Sequence, residues 1–260
     1  MMEILKELPS EFLKLKKPPQ KIYYKGNLEL LKHKKVAIVG SRRPSFYTKN
    51  LTSRLAQGLN ERGIVVVSGG AMGVDAIAHR AAFPNTIMVA ATSLEDIYPK
   101  VNKELISSIY KDGLAISEYD KDEVVQKYFF VDRNRLVIAL SEAVIIAQAD
   151  LKSGSMQSAK IAKKLNKPIY VLPQRLNESD GTNLLLKNGE ALLINDIDQF
   201  LSNFGKIVTN NDPIIEFCKK ESSLEKALAK FGPKIYEYEF MGKLKIEGAS
   251  VVVCSGFSSI

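Results

Sequence analysis

The chain has 260 residues, 45% of them hydrophobic, enough to bury one sizeable α/β core and a second small domain, which excludes disorder for most of its length. It contains no run of about 18 apolar residues, and its first residues alternate apolar with charged positions, so a membrane span and a secretory leader are disfavoured and a cytoplasmic protein is expected. The net charge of +8 suits a polyanionic partner, but residues 1–35 hold 9 Lys or Arg against 4 Asp or Glu while residues 36–200 hold 20 against 18, so charge alone does not place a site.

Residues 1–34 read as a basic N-terminal arm. From Lys35 onward, short β-branched apolar runs alternate with helical patterns, the signature of parallel strands joined by crossover helices. The predicted strands are Val36–Val39, Ile64–Val67, Thr86–Ala90, Leu114–Ser117, Ala143–Ala147, Ile169–Leu172 and Ala191–Ile194. Each is apolar on both faces, as a sheet covered on both sides requires. Between the first two, Leu51, Leu55 and Leu59 recur every four residues and would line one helix face, completing a right-handed β-α-β unit. The expected fold class is α/β, an extended Rossmann-like, doubly wound, mostly parallel sheet over residues 35–202.

A linker is expected over 203–212, closed by the turn-forming Asn210-Asn211-Asp212-Pro213. Residues 213–260 read as a small winged-helix-like domain, with helices Ile214–Lys219, Ser222–Lys230 and Lys234–Met241 and strands Leu244–Ile246 and Val251–Val253. Cys218 and Cys254 lie outside any CxxC pattern and are expected to be reduced packing residues; no disulfide, zinc or other cofactor is expected.

Four predicted strand ends carry anion-binding features. The first runs into Gly40-Ser41-Arg42-Arg43-Pro44, where a glycine lets backbone approach a phosphate and the guanidinium forks can bind it bidentately. The second runs into Ser68-Gly69-Gly70-Ala71-Met72-Gly73-Val74-Asp75, a turn able to wrap N–H groups round a phosphate, yet neither GxGxxG nor GxxxxGK[ST], which disfavours a nicotinamide dehydrogenase or an ATPase. Asp75 reads as the cap of the following helix, and His79 as a buried hydrogen-bonding residue. In Phe129-Phe130-Val131-Asp132-Arg133-Asn134-Arg135 the two Phe read as core and the Arg pair as cations for a backbone. The fifth strand empties into Asp150-Leu151-Lys152-Ser153-Gly154-Ser155, again donors suited to phosphate at a helix start. An open α/β sheet can bring such loops onto one rim.

Ile38-Val39-Gly40-Ser41-Arg42, Ser68 through His79, Ile97-Tyr98-Pro99, Ser117-Glu118, Arg133-Asn134-Arg135, Ser153-Gly154-Ser155, Ser179-Asp180-Gly181-Thr182-Asn183 and Asn188-Gly189, in this order, resemble the DNA-processing protein A (DprA/Smf) family over about residues 20–200. The resemblance implies an extended Rossmann-like domain that binds single-stranded DNA, forms a homodimer and loads the RecA recombinase onto incoming strands during natural transformation, with no catalytic residue. It implies a basic pocket at the strand ends, matched here by Arg42 and the Arg133/Arg135 region with Lys152 as a neighbour, and it makes a C-terminal winged helix an expected part. The chain departs from the family in Val131-Asp132, where Pro and a basic or polar residue usually stand, and in having no room for a helical N-terminal domain in its first 35 residues. The candidate DNA-binding set is Ser41, Arg42, Arg43, Ser68, Gly69, Gly70, Gly73, Arg133, Asn134, Arg135, Lys152, Ser153, Gly154 and Ser155.

Two alternatives stay open. A phosphoribohydrolase of similar fold needs a carboxylate beside the second glycine-rich turn to stabilise a cationic sugar, and Lys152 to Ala162 contains no Asp or Glu. A winged-helix transcription regulator would read duplex DNA through residues 213–260, whose 7 basic and 6 acidic residues argue for weak duplex binding only.

Overall fold

The structure, a computed structural model, describes residues 2–208, 212–240 and 242–254. They form two compact units, Met1–Ile207 and Val208–Ile260. The first contains, in chain order, β1 (Glu3–Ile4), β2 (Tyr23–Gly26), β3 (Lys35–Val39), α1 (Phe46–Asn60), β4 (Val65–Ser68), α2 (Val74–Ala82), β5 (Thr86–Ala90), α3 (Lys103–Asp112), β6 (Leu114–Ser117), α4 (Phe129–Asp132), α5 (Asn134–Leu140), β7 (Ala143–Ile146), α6 (Gly154–Lys164), β8 (Ile169–Val171), α7 (Asp180–Lys187), β9 (Leu192–Leu193) and α8 (Ile197–Ser202).

The strands make one nine-stranded sheet in the order β1-β2-β6-β5-β4-β3-β7-β8-β9, parallel from β6 to β9. Alternate residues of each central strand enter different cores, because successive side chains leave opposite faces of a pleated strand. Val36 and Ile38 pack with Leu55, Leu59, Ala78 and Phe200 on one face, while Ala37 and Val39 pack with Leu136, Leu140 and Ala159 on the other. Each fully buried leucine such as Leu59 is worth ~2–5 kcal/mol against alanine at such a site. The Leu51/Leu55/Leu59 stripe is the buried side of α1, with Leu51 at its partly buried margin.

The chain winds outward from β3 to β6, then returns to add β7 on the other side of β3. That reversal opens a crevice at the carboxyl ends of β3 and β7, the place where open α/β sheets bind ligands, because the two following connections leave in opposite directions. The loops after β3, β4 and β7 therefore share one edge of the sheet.

The first 34 residues are not an appended arm. β2 pairs antiparallel with β6, from Tyr23 opposite Ser117 to Gly26 opposite Leu114, and β1 pairs with β2. Phe12, Leu15, Ile22 and Leu30 are buried in the same core as Ala37 and Val39. Short 3₁₀ turns at Ser10–Lys14 and Leu28–Lys32 carry these side chains inward while most of the lysines stay at the surface, so no helical or strand period extends far enough to read.

The second unit contains α9 (Pro213–Lys220), α10 (Leu224–Phe231), α11 (Lys234–Phe240) and an antiparallel hairpin of β10 (Leu244–Glu247) and β11 (Ser250–Val253). Asp212 caps α9 through the N–H groups of Ile214 and Ile215, and Ser223 caps α10 through that of Lys226. Its core is Ile214, Ile215, Cys218, Ala227, Ile235, Leu244 and Val251, so the thiol of Cys218 is a packing group. The expected linker residues Asn210 and Asn211 and the helix end at Met241 lie outside the described residues.

Candidate nucleic-acid interface

The loop after β3 and the turn after β4 are built against each other. Ser45 caps α1 by accepting from the N–H of Thr48 at 3.2 Å, and its own N–H donates to Gln148 Oε1 at 3.0 Å, so the Gly40–Pro44 loop is anchored to the strand-β7 end as well. Gly73 has φ 79° and ψ −127°, a conformation open to glycine and strained for any residue with a Cβ. A Cβ there would lie 2.4 Å from the carbonyl oxygen of Ser41, and the next residue, Val74, donates its N–H to that same oxygen at 3.1 Å. This close approach sets the height of Ser41 and Arg42 above the glycine turn.

Beneath the turn lies a polar core. Arg133 is buried, with 5% of its surface exposed, and its guanidinium donates to the carbonyl oxygens of Gly69 and Val89. Its Nε donates to Asn134 Oδ1 at 3.3 Å, and Asn134 Nδ2 reaches the carbonyl of Gly154 at 3.4 Å. Arg133 and Asn134 thus tie together the strand-end segments of β4, β5 and β7. Asp75, expected as a helix cap, is instead buried within the first turn of α2 and accepts from the N–H of Ala71 at 3.2 Å, bridging the turn. Burial pushes its carboxyl above the usual carboxylate range, against the opposing pull of the Arg133 charge and the Ala71 N–H. Asn102, which no local pattern singles out, donates to the carbonyls of Gly70 at 3.2 Å and Ala71 at 3.3 Å and closes the turn from its other side.

His79 is fully buried. Thr86 Oγ1 donates to the carbonyl of Val66 at 2.9 Å and so accepts from His79 Nδ1–H at 2.7 Å, which leaves Nε2 unprotonated and without a partner among the described residues. Burial, helped by the Arg133 charge, lowers its pKa to about 3. Because the folded value is below the unfolded one, the neutral ring supports the fold fully above about pH 6.5 and that support is lost as pH falls from there toward 3. His79→Asn keeps an N–H donor for Thr86 and is expected to flatten the acid limb of the stability profile measured by urea melts between about pH 6.5 and 4. An unchanged slope would show that the ring already titrates freely.

The fourteen predicted positions divide by exposure. Arg42, Arg43, Lys152 and the backbone of Gly154 face solvent on the rim, with Ser41 half-buried beside them. Ser68 is inside, its hydroxyl donating to the Ile38 carbonyl at 2.6 Å, and Gly70, Arg133 and Ser155 are buried as well. Ser153 is the cap of α6, accepting from the N–H of Met156 at 3.3 Å and donating to the Asp150 carbonyl at 2.7 Å. Arg135 is committed to Glu118, its Nη2 lying 2.6 Å from each carboxylate oxygen, with both side chains about one-fifth exposed. Of the predicted positions, the cations open on the rim are therefore Arg42, Arg43 and Lys152, while the Arg133/Arg135 pair serves the framework below.

An open recess lies beside Arg42, lined by Gly69, Gly70, Ala71, Met72, Tyr98 and Phe130 among others. Tyr98 is half exposed, and its ring centroid is 5.5 Å from that of Phe130 in a tilted pair. Of the two Phe expected in the core only Phe129 is there, stacked on Tyr119 at 4.0 Å, because α4 is a single turn and sends consecutive side chains about 100° apart. The site thus pairs an exposed guanidinium with glycine backbone and a flat apolar wall. Such a combination can hold a phosphate and an unstacked base side by side.

Residues 3–205 match the family model described as DNA recombination-mediator protein A. The DNA processing protein DprA of Streptococcus pneumoniae is 40% identical over 180 residues, covering 67% of this chain and 64% of that protein. Protein Smf of Synechocystis is 34% identical over 216 residues, covering 78% of this chain and 52% of that protein. This chain therefore spans about half to two-thirds of the length of these relatives. Among solved structures, DNA processing protein A of Helicobacter pylori, described for its mode of binding single-stranded DNA, superimposes with a TM-score of 0.77 at 53% identity, covering 78% of this chain and 94% of that one. The Streptococcus pneumoniae structure gives a TM-score of 0.71 at 37% identity, covering 76% of this chain and 71% of that one. With a parallel sheet whose switch point carries the glycine turn and the Arg42 loop, and a family model matched from residue 3 to residue 205, the chain belongs to the DNA recombination-mediator protein A family.

Proposed function

We propose that this protein binds single-stranded DNA along the carboxyl-end rim of its sheet and presents the strand, chemically unchanged, to the RecA recombinase during natural transformation. The observation that carries the reading is Arg42, exposed, without a carboxylate partner among the described residues, and set between the glycine turn and the Tyr98–Phe130 recess. Phosphates would meet Arg42, Arg43, Lys152 and the backbone N–H of Gly154, and a base would lean on the apolar wall. The Helicobacter pylori relative, described for single-stranded DNA binding and 53% identical, supports the same substrate. A cytoplasmic homodimer is part of this proposal. A role for residues 213–260 on duplex DNA is a weaker second binding mode, given their near balance of charge.

Gel shifts with single-stranded and duplex DNA over a salt series test the reading. Single strands are expected to bind more tightly, with little sequence preference and a steep loss of affinity as salt rises. Arg42→Ala is expected to weaken binding about tenfold at every sequence and to reduce the salt slope by about 0.7, one released counterion on a single strand. An unchanged slope would remove Arg42 from the phosphate contacts, and a preference for duplex would overturn the reading itself.

A further inference from the structure

The rim is continuous with a helix face that the site described above does not use. Ser45 follows the Gly40–Pro44 loop and starts α1 by capping it, so the first helical residues, Phe46 and Tyr47, come three and four residues after Arg43. Phe46 is 77% exposed and Tyr47 45%. Thr48, the next residue, is buried and holds Gln174 Nε2 through its hydroxyl at 3.1 Å, which fixes the helix rotation that turns the two rings outward. Positions 46, 50 and 54 recur at four-residue spacing, so Phe46, Asn50 and Arg54 share one exposed face over two turns, ~12 Å. Tyr47, Asn50, Leu51, Ser53 and Arg54 line a shallow depression along that face.

The charge on this segment points to the occupant. From Ser41 to Asn60 there is no Asp or Glu, and the cations are Arg42, Arg43, Lys49 and Arg54. The first turn of α1 has no acidic residue, and Lys49 stands near the helix N-terminus, where the macrodipole disfavours a cation by ~0.3–1 kcal/mol. A surface helix selected only for stability carries acidic residues there. Two exposed rings followed by an amide and a guanidinium, in a segment without a carboxylate, match a polyanion with flat apolar groups.

We propose that the outer face of α1 is a second subsite for single-stranded DNA, in which Phe46 and Tyr47 stack on bases and Arg43 and Arg54 contact the backbone, carrying the strand from the rim along the helix. The inference rests on the strand-binding reading of the rim. It implies a site longer than the recess, so affinity should keep rising with strand length after the rim is filled.

The test uses the full chain, oligothymidylates of about 6 and about 20 nucleotides, and the double variant Phe46→Ala/Tyr47→Ala beside Arg42→Ala. The double variant is expected to bind the short strand as the parent does and the long strand about tenfold more weakly, and Arg54→Ala is expected to lower the salt slope for the long strand alone. Circular dichroism and light scattering check fold and assembly. Parental affinity of the double variant for the long strand, or an equal loss at both lengths, overturns the proposal while leaving the rim reading intact, provided Arg42→Ala still weakens both. A change in oligomeric state with unchanged DNA affinity also overturns it, because the face would then be a protein contact. Failure of the parent to bind either strand overturns the rim reading and this inference together.

Discussion

Gly73→Ala is expected to destabilise the first unit by ~3 kcal/mol or more and to abolish most strand binding. Two costs add. The backbone at φ 79° and ψ −127° is one that a Cβ strains by ~1–3 kcal/mol. The added carbon would also sit 2.4 Å from the Ser41 carbonyl oxygen and 2.6 Å from the Arg42 carbonyl carbon, so the Ser41–Arg42 loop must move. That loop carries the exposed guanidinium of the rim, and moving it breaks the hydrogen bond from Val74 N–H to Ser41 at 3.1 Å. Urea melts read the first effect and single-strand titrations the second. A variant with parental stability would show that the turn relaxes at little cost, and parental affinity at reduced stability would separate loop height from binding.

Arg133→Met is expected to cost ~3–5 kcal/mol, although the side chain keeps an unbranched apolar stem and loses no exposed contact. The carbonyls of Gly69 and Val89 lose their donor in a dry environment, at ~1–3 kcal/mol for each group left unsatisfied. Asp75 loses the positive charge that opposes its burial, so its carboxyl shifts further upward. Arg133→Lys is expected to recover part of the loss, since an ammonium can donate to both carbonyls but does not reach Asn134 in the same plane. Thermal melts of the two variants decide the matter. If Arg133→Met unfolds within about 0.5 kcal/mol of the parent, the guanidinium is not what holds the glycine turn. A direct phosphate role for Arg133 would show instead as lost affinity and salt slope at unchanged stability.

The central strands β3 to β7 were legible along the chain because each is a short apolar run buried on both faces, and β5 and β6 begin and end at the predicted residues, whereas β9 is exposed. The glycine turns, the Arg42 loop and the start of α6 were legible because close approaches of backbone demand glycine, and caps demand Ser. Residues 1–34 were misread because two short strands and two 3₁₀ turns leave no period to count, and abundant lysines hide the buried side chains between them. The apolar wall was half missed, since Tyr98 stands on a loop with no period and Phe129 differs from Phe130 only in the direction a single helical turn assigns it.

What the amino-acid order determined by itself was the succession of strands from β3 onward, the doubly wound class and the residue types offered at each strand end, because these depend on neighbours a few residues apart. Which guanidinium faces solvent and which is a strut was decided only in three dimensions. Arg42 and Arg133 are the same side chain with the same local freedom. One meets water at a switch point and the other meets the carbonyls of Gly69 and Val89, 64 and 44 residues away, and long-range placement of that kind follows from how the sheet closes over its loops.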